Sequence, residues 1–277
     1  MKRVLLIRAE PPLVAALRTV FDTNVPEIEF CAGSAEAIRR VRERAIDVVV
    51  TDPETPIEED VALAGELQRA RPAVRVIVLS PEATQADVVE AIRAHVFACF
   101  TRPFDWAEIA AMVSSAITAD TWRDGIEVVS GLPHWLTLRA SCHLLTADRV
   151  VRFMTELQNS MPDRDRDLLI AAFREMLLNA MEHGGGFDPD KVIDVTAART
   201  ARAIVYHFRD PGGGFAPEAV EHAVAAPNPD TVLETTVRRA EMGLRPGGFG
   251  MLIVRQIVDE VVYNERGNEV ILIKHLR

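Results

Sequence analysis

Cysteine is scarce in this chain of 277 residues: Cys31, Cys99 and Cys142 are the only three, and they stand far apart. That spacing excludes a disulfide framework and a cysteine metal cluster, and it fits a reducing cytoplasm. An excess of positive charge is also missing. Lys and Arg number 31 against 41 Asp and Glu, for a formal net charge of −10, which argues against a general nucleic-acid-binding surface. Long apolar runs are absent too. The opening stretch MKRVLLIRAE has only a short VLLI run before charge returns, too short for a signal peptide or a membrane span, so no membrane partner is expected. No low-complexity segment or fixed-period repeat is evident. What is present, 48% hydrophobic and 26% charged residues, matches soluble globular protein, and the length suggests two domains.

Residues 1–119 alternate strand and helix signals. Val4 to Ile7 is a short apolar run and Leu13 to Phe21 is helical. Ile28 to Cys31 reads as a strand, and Ser34 is expected to cap the helix that follows it. Asp47 to Thr51, Val74 to Leu79 and Val96 to Phe100 complete five buried strands, and Asp105 caps a closing helix. Strands that are apolar throughout and separated by helices imply a doubly wound α/β fold with a parallel sheet. Ligands on such sheets sit at the carboxyl ends of the strands, where the polar residues are Arg8, Glu10, Asp52, Ser80 and Arg102.

This half resembles the receiver domain of two-component response regulators. Asp52 ends the third strand and precedes Pro56, as that family's phosphoacceptor aspartate does; Ser80 matches its hydroxyl residue, and Arg102-Pro103 falls where receivers carry Lys-Pro. The departures are specific. Where the family places two acidic residues to hold Mg²⁺, this chain has Arg8 and Ala9, with only Glu10 alongside. An arginine there repels the ion and could instead pair with Asp52, and the family's aromatic switch position is Cys99. The resemblance therefore implies a pseudo-receiver with a degenerate site. The residues alone leave open that Asp52 is a plain strand-end residue before Pro53.

Residues 120–134 read as a short, packed linker around Trp122, Val128 and Val129. From 135 to 277 the signals change. A strand from Trp135 to Arg139 is followed by an amphipathic helix from Thr146 to Gln158, with Val150, Phe153, Met154 and Leu157 on one face. Pro162-Asp163 opens a long helix that carries Glu175, Asn179 and His183 at i, i+4 and i+8, on one side, and then meets three glycines. Mid-helix Asn is a poor helix former, so its presence asks for a reason. Val192 to Ala197 and Ala203 to Phe208 are antiparallel strands, the second running into Asp210-Pro211-Gly212-Gly213-Gly214. Gly247 to Gly250 opens an apolar helix, and two last strands meet at Gly267-Asn268, a hairpin signal. A glycine loop at a helix start is geometry for phosphate, a strand-end Asp can accept from an exocyclic amine, and Asn and Glu offer the oxygen ligands that Mg²⁺ takes.

These three features in order resemble the ATP-binding domain of the histidine-kinase and gyrase superfamily, an α/β sandwich. Glu175 and Asn179 match its N-box, Asp210, Gly212 and Gly214 its first glycine box, and Gly248 and Gly250 its second; the segment between the boxes corresponds to the ATP lid. Within that superfamily the chain looks most like the anti-sigma-factor serine/threonine kinases, through Asn-Ala-Met-Glu-His183 and the strand and helix before it. The resemblance implies ATP and Mg²⁺ as cofactors. Asn179 would hold the metal, Glu175 would orient or deprotonate the attacking hydroxyl, Asp210 would recognise adenine, and the glycines would let backbone approach the nucleotide. It also implies a sigma factor or an antagonist-type protein as partner, and a homodimer, with the helix 146–158 carrying a partner surface that includes Arg149. His183 reads as a cation at a helix C-terminus, and Arg238, Arg239 and Arg245 read equally as phosphate contacts or a solvated charge run. Three functions stay open: the kinase, a nucleotide-gated interaction protein without catalysis, and a histidine-kinase-like protein acting on a separate phosphotransfer partner. All imply a cytoplasmic signalling regulator.

Overall fold

Central strands of a parallel sheet covered on both faces read as apolar runs, as the three consecutive buried valines at 48–50 do. The computed structural model describes residues 2–21, 26–119, 124–132, 134–214 and 250–276, with Leu252 described by its backbone alone. The chain divides into two units, residues 1–127 with 152–157, and residues 128–151 with 158–277.

The first unit holds β1 (Arg3–Ile7), β2 (Glu27–Cys31), β3 (Val48–Val50), β4 (Arg75–Ser80) and β5 (Ala98–Thr101), all parallel in the order β2-β1-β3-β4-β5. The order reverses between β1 and β3, so their carboxyl ends open the crevice in which such sheets bind ligands. Helices α1 (Pro11–Val20) and α5 (Trp106–Thr118) pack together, as do α2 (Ser34–Glu43), α3 (Ile57–Ala70) and α4 (Gln85–Arg93) in sequence. Each buries an apolar stripe, for example Leu13 and Leu17 on α1 and Ile109, Val113 and Ala116 on α5. Fully burying one such side chain contributes about 1.5–3 kcal/mol. Two helix starts follow the sequence: Thr84 and Asp87 form a reciprocal capping box on α4, and Asp105 accepts from Ala107 N at 2.9 Å and Glu108 N at 3.0 Å. The expected Ser34 cap is corrected. Ser34 is the first helical residue of α2, and Gly33 occupies the cap without a side-chain bond. Also within this unit, Arg152 pairs with Glu108 at 2.9 Å and with Glu156, whose carboxylate accepts from the Thr101 hydroxyl at 2.6 Å.

The second unit has a six-stranded sheet in the order β10-β11-β9-β8-β7-β6. Its strands are β6 (Ile126–Leu132), β7 (Trp135–Ser141), β8 (Val192–Arg199), β9 (Ala203–Arg209), β10 (Glu260–Tyr263) and β11 (Glu269–His275). From β7 to β10 the pairs are antiparallel. Alternation is clean on β9, where Ile204, Tyr206 and Phe208 are buried. Against them lies α7 (Asp163–Asn179), whose Phe173 ring stands 4.8 Å from Tyr206 and 5.1 Å from Phe208. A helix α8 (Gly250–Ile257) packs on α7. The stretch read as linker contains β6, a full strand of this sheet. Its burial alternates weakly, which is why it did not read as one. Helix α6 (Leu144–Leu157) differs from the amphipathic expectation as well: in its second-unit part Thr146 and Arg149 are buried along with Ala147 and Val150. Arg149, expected as a partner contact, is 1% exposed.

Candidate functional site

Helix α7 starts after Pro162 with Asp163 and Asp165 in its first turn, where carboxylates complement the helix dipole. Its core side is Leu169, Phe173, Met176 and Leu177, which leaves Glu175 and Asn179 half-buried on another side. Gly250, the first residue of α8, lies directly against Glu175: a Cβ there would overlap the Glu175 carboxylate. After Asn179 the helix does not stop. It widens into a π-helical turn, Ala180–Gly184, closed by Gly185 N donating to Ala180 O at 3.1 Å. Such turns are rare and recur at functional sites.

The widened turn delivers Gly184 to Asp210, just past the end of β9. A Cβ on Gly184 would overlap the Asp210 side chain, and one on Gly185 would overlap Cys142 Sγ. Asp210 Oδ1 accepts from Gly212 N at 2.8 Å, and Asp210 N donates to Asn268 O at 3.0 Å. Burial holds the Asp210 carboxyl above the ordinary carboxylate range, opposed by the Gly212 N–H and by the nearby charges of Arg266 and His183. Gly214 takes φ +81°, a left-handed conformation that favours glycine.

The structure thus sets Glu175 against Gly250 at the α7–α8 contact, with Asn179 one turn further along α7, and places Asp210 and Gly212 beside Gly184, five residues after Asn179. Gly248 and the lid arginines Arg238, Arg239 and Arg245 lie outside the described residues. Three contributors were missed: Gly184, Asn268 and Arg266. The triple glycine at 184–186 was a visible signal for the first; nothing local marks the other two. Chemically, bare glycine backbone beside two oxygen-bearing side chains fits a polyphosphate with a hard cation, and a backbone-held carboxylate fits an amine-bearing base.

In the first unit the predicted residues also converge. Arg8 has φ +43°, its N–H donates to Cys31 O at 3.1 Å and its Nε to Ala32 O at 2.8 Å. That geometry sets Nη1 3.3 Å from Asp52 Oδ2. The other carboxylate oxygen of Asp52, a residue 7% exposed, accepts from Glu54 N at 3.0 Å. Arg102 Nη2 pairs with Glu10 at 3.0 Å and with Glu54. The Ser80 hydroxyl lies 3.1 Å from the carbonyls of both Thr55 and Glu82, so it is engaged with backbone. An acidic metal pair is replaced by a guanidinium already on Asp52; these residues do not fit a Mg²⁺ site.

Comparison with known proteins follows the same division. A histidine kinase-like ATPase domain model matches residues 140–274, and a response regulator receiver domain model matches residues 4–114. Among curated proteins, the chain is similar to the transcriptional regulatory protein GlrR of Escherichia coli (strain K12), 24% identical over 135 residues, covering 47% of this chain and 30% of that protein. It is also similar to the DNA-binding transcriptional regulator NtrC of Azospirillum brasilense, 27% identical over 110 residues, covering 38% and 23%. The chain thus spans less than a third of the length of these relatives. Among solved structures, a response regulator from Thermotoga maritima matches with TM-score 0.37 and 18% identity, over 43% of this chain and 99% of that one. A CheY-like receiver domain protein from Methanospirillum hungatei JF-1 matches with TM-score 0.36 and 16% identity, over 42% and 94%.

Proposed function

Because the chain is a response regulator receiver domain followed by a histidine kinase-like ATPase domain, and so a signal-transduction regulator, we propose that it is an ATP-dependent serine/threonine protein kinase of the anti-sigma-factor type. The observation behind this reading is the Glu175 carboxylate seated against Gly250 at the start of α8, one turn before Asn179. ATP, when bound, would supply the phosphoryl group, and Mg²⁺ would supply the charge neutralisation that its transfer needs. Asn179 would hold the cation. Asp210 accepts from the exocyclic amine of adenine, and Gly212, Gly214, Gly248 and Gly250 admit backbone to the nucleotide. Glu175 orients the hydroxyl of a protein substrate and takes its proton. A positioned base of this kind contributes roughly 10²- to 10⁴-fold. The partner is a sigma factor or a small antagonist protein, and the kinase acts as a homodimer.

The test is transfer of labelled γ-phosphate from ATP to a purified antagonist protein from the same genome. Glu175→Ala is expected to retain ATP binding and lose at least about a hundredfold in transfer rate. Unchanged transfer removes Glu175 from the mechanism. ATP binding without transfer by the wild type leaves a nucleotide-gated interaction protein instead.

The receiver domain acts in this reading as a pseudo-receiver, with Arg8 in permanent place of a cation beside Asp52. Acetyl phosphate is therefore expected to leave the intact mass of the full chain unchanged. A single phosphoryl adduct that Asp52→Asn abolishes contradicts the pseudo-receiver.

A further inference from the structure

Arg266 belongs to none of the motifs in the sequence. It lies in the turn between β10 and β11, yet both its backbone and its side chain meet the loop that follows β9. Its carbonyl stands where a Cβ on Gly214 would be. Its Nε donates to Gly213 O at 3.3 Å and its Nη2 to Gly212 O at 3.5 Å. One residue therefore touches three successive glycines of the loop that presents Asp210. The turn carrying Arg266 is itself braced. Asn264 Oδ1 accepts from Asn268 N and Glu269 N, both at 3.1 Å, and Asn264 Nδ2 donates to Asn268 Oδ1 at 3.0 Å. Asn268 then joins the platform to the loop through Asp210 N and, from Nδ2, through Asp210 O at 3.4 Å.

A planar guanidinium suits two adjacent carbonyls better than an ammonium, which is a compact point charge. The same cation acts on Asp210 at a distance. Among the described residues, the groups that face this carboxyl are His183 from the π-helical turn, Arg266 from the β10–β11 turn and the Cys142 thiol. Burial pushes that thiol up to about 11, so it is uncharged at neutral pH.

We propose that Arg266 is a positioning residue for nucleotide recognition: it fixes the Gly212–Gly214 backbone and keeps the Asp210 carboxylate available as the acceptor for the base. This rests on the nucleotide reading above. Two contributions are separable, the geometric one through the forked hydrogen bonds and the electrostatic one through the charge.

The experiment is calorimetric titration of the full chain with ADP and Mg²⁺ from pH 5 to pH 8, for wild type, Arg266→Ala and Arg266→Lys, each shown folded by circular dichroism. Arg266→Ala is expected to weaken ADP binding roughly tenfold, on the scale of one charge-assisted hydrogen bond. Its affinity should also begin to fall at a higher pH than in wild type as the solution is acidified. Arg266→Lys should restore the wild-type pH profile while recovering only part of the affinity. Wild-type affinity and pH profile in folded Arg266→Ala overturn the proposal. So does equal weakening in both variants with the pH profile unmoved, which marks a purely structural residue. If Arg266→Ala does not fold, the lysine variant decides alone: full wild-type affinity, or weakened binding with a displaced pH profile, overturns the proposal. A wild type that takes up no ADP sinks the nucleotide reading itself, and this inference with it.

Discussion

Asp60 keeps a carboxyl inside the first unit, 1% exposed, in the first turn of α3. It accepts from the Thr51 hydroxyl, whose oxygen in turn accepts from Leu79 N at 3.0 Å. Burial lifts its pKa to about 7, with the charges of Asp52 and Glu59 adding to the rise and the Thr51 bond opposing it. A pKa raised in the folded state means stability that is full below the unfolded value, about 4, and is lost as pH rises to about 7. Asp60→Asn keeps the acceptor and removes the titration. Melting scans at pH 5 and pH 7.5 should show the wild type losing at least about 3 °C more than the variant over that interval. Parallel behaviour of the two contradicts the account. Residues differ in how legible they were. Glu175 and Asn179 were readable because a four-residue spacing on a helix is a local fact. The approach of Gly184 to Asp210 joins the end of α7 to the end of β9, which no local pattern encodes. Arg149 was expected at a partner surface by resemblance, and in the structure it is buried.

At the scale of elements, the parallel strands were legible because burial on both faces forces continuous apolar runs. Strand β6 was not, because an edge strand that is largely exposed carries little pattern. One charged residue buried inside the parallel sheet is Arg75, the first residue of β4 and 5% exposed. Its guanidinium reaches the end of α5, donating to Ala116 O and, at 2.8 Å, to Ala119 O. Carbonyls at a helix C-terminus lack intrahelical donors and carry partial negative charge, so a cation there satisfies both needs. Burial lowers the Arg75 pKa, but not enough to neutralise an arginine. Arg75→Met, which keeps the bulk, should cost about 2 to 3 kcal/mol by leaving those acceptors without their donor. The check is the urea midpoint of the transition that unfolds the first unit. A change below about 0.5 kcal/mol means that water replaces the guanidinium at no net cost.

For the whole molecule, the change of pattern near residue 120 suggested two domains, and family models match residues 4–114 and 140–274. No described helix is long and apolar enough to cross a membrane. The central claim is that the second unit takes Mg-ATP through Glu175, Asn179, Asp210 and the glycines. The direct measurement is isothermal titration of the folded full chain with ATP, with and without Mg²⁺, alongside Asn179→Ala. The account predicts micromolar binding that Mg²⁺ strengthens in the wild type, and a variant in which the Mg²⁺-dependent part is lost. A folded wild-type chain that gives no binding heat and no thermal shift with ATP, in either buffer, contradicts it.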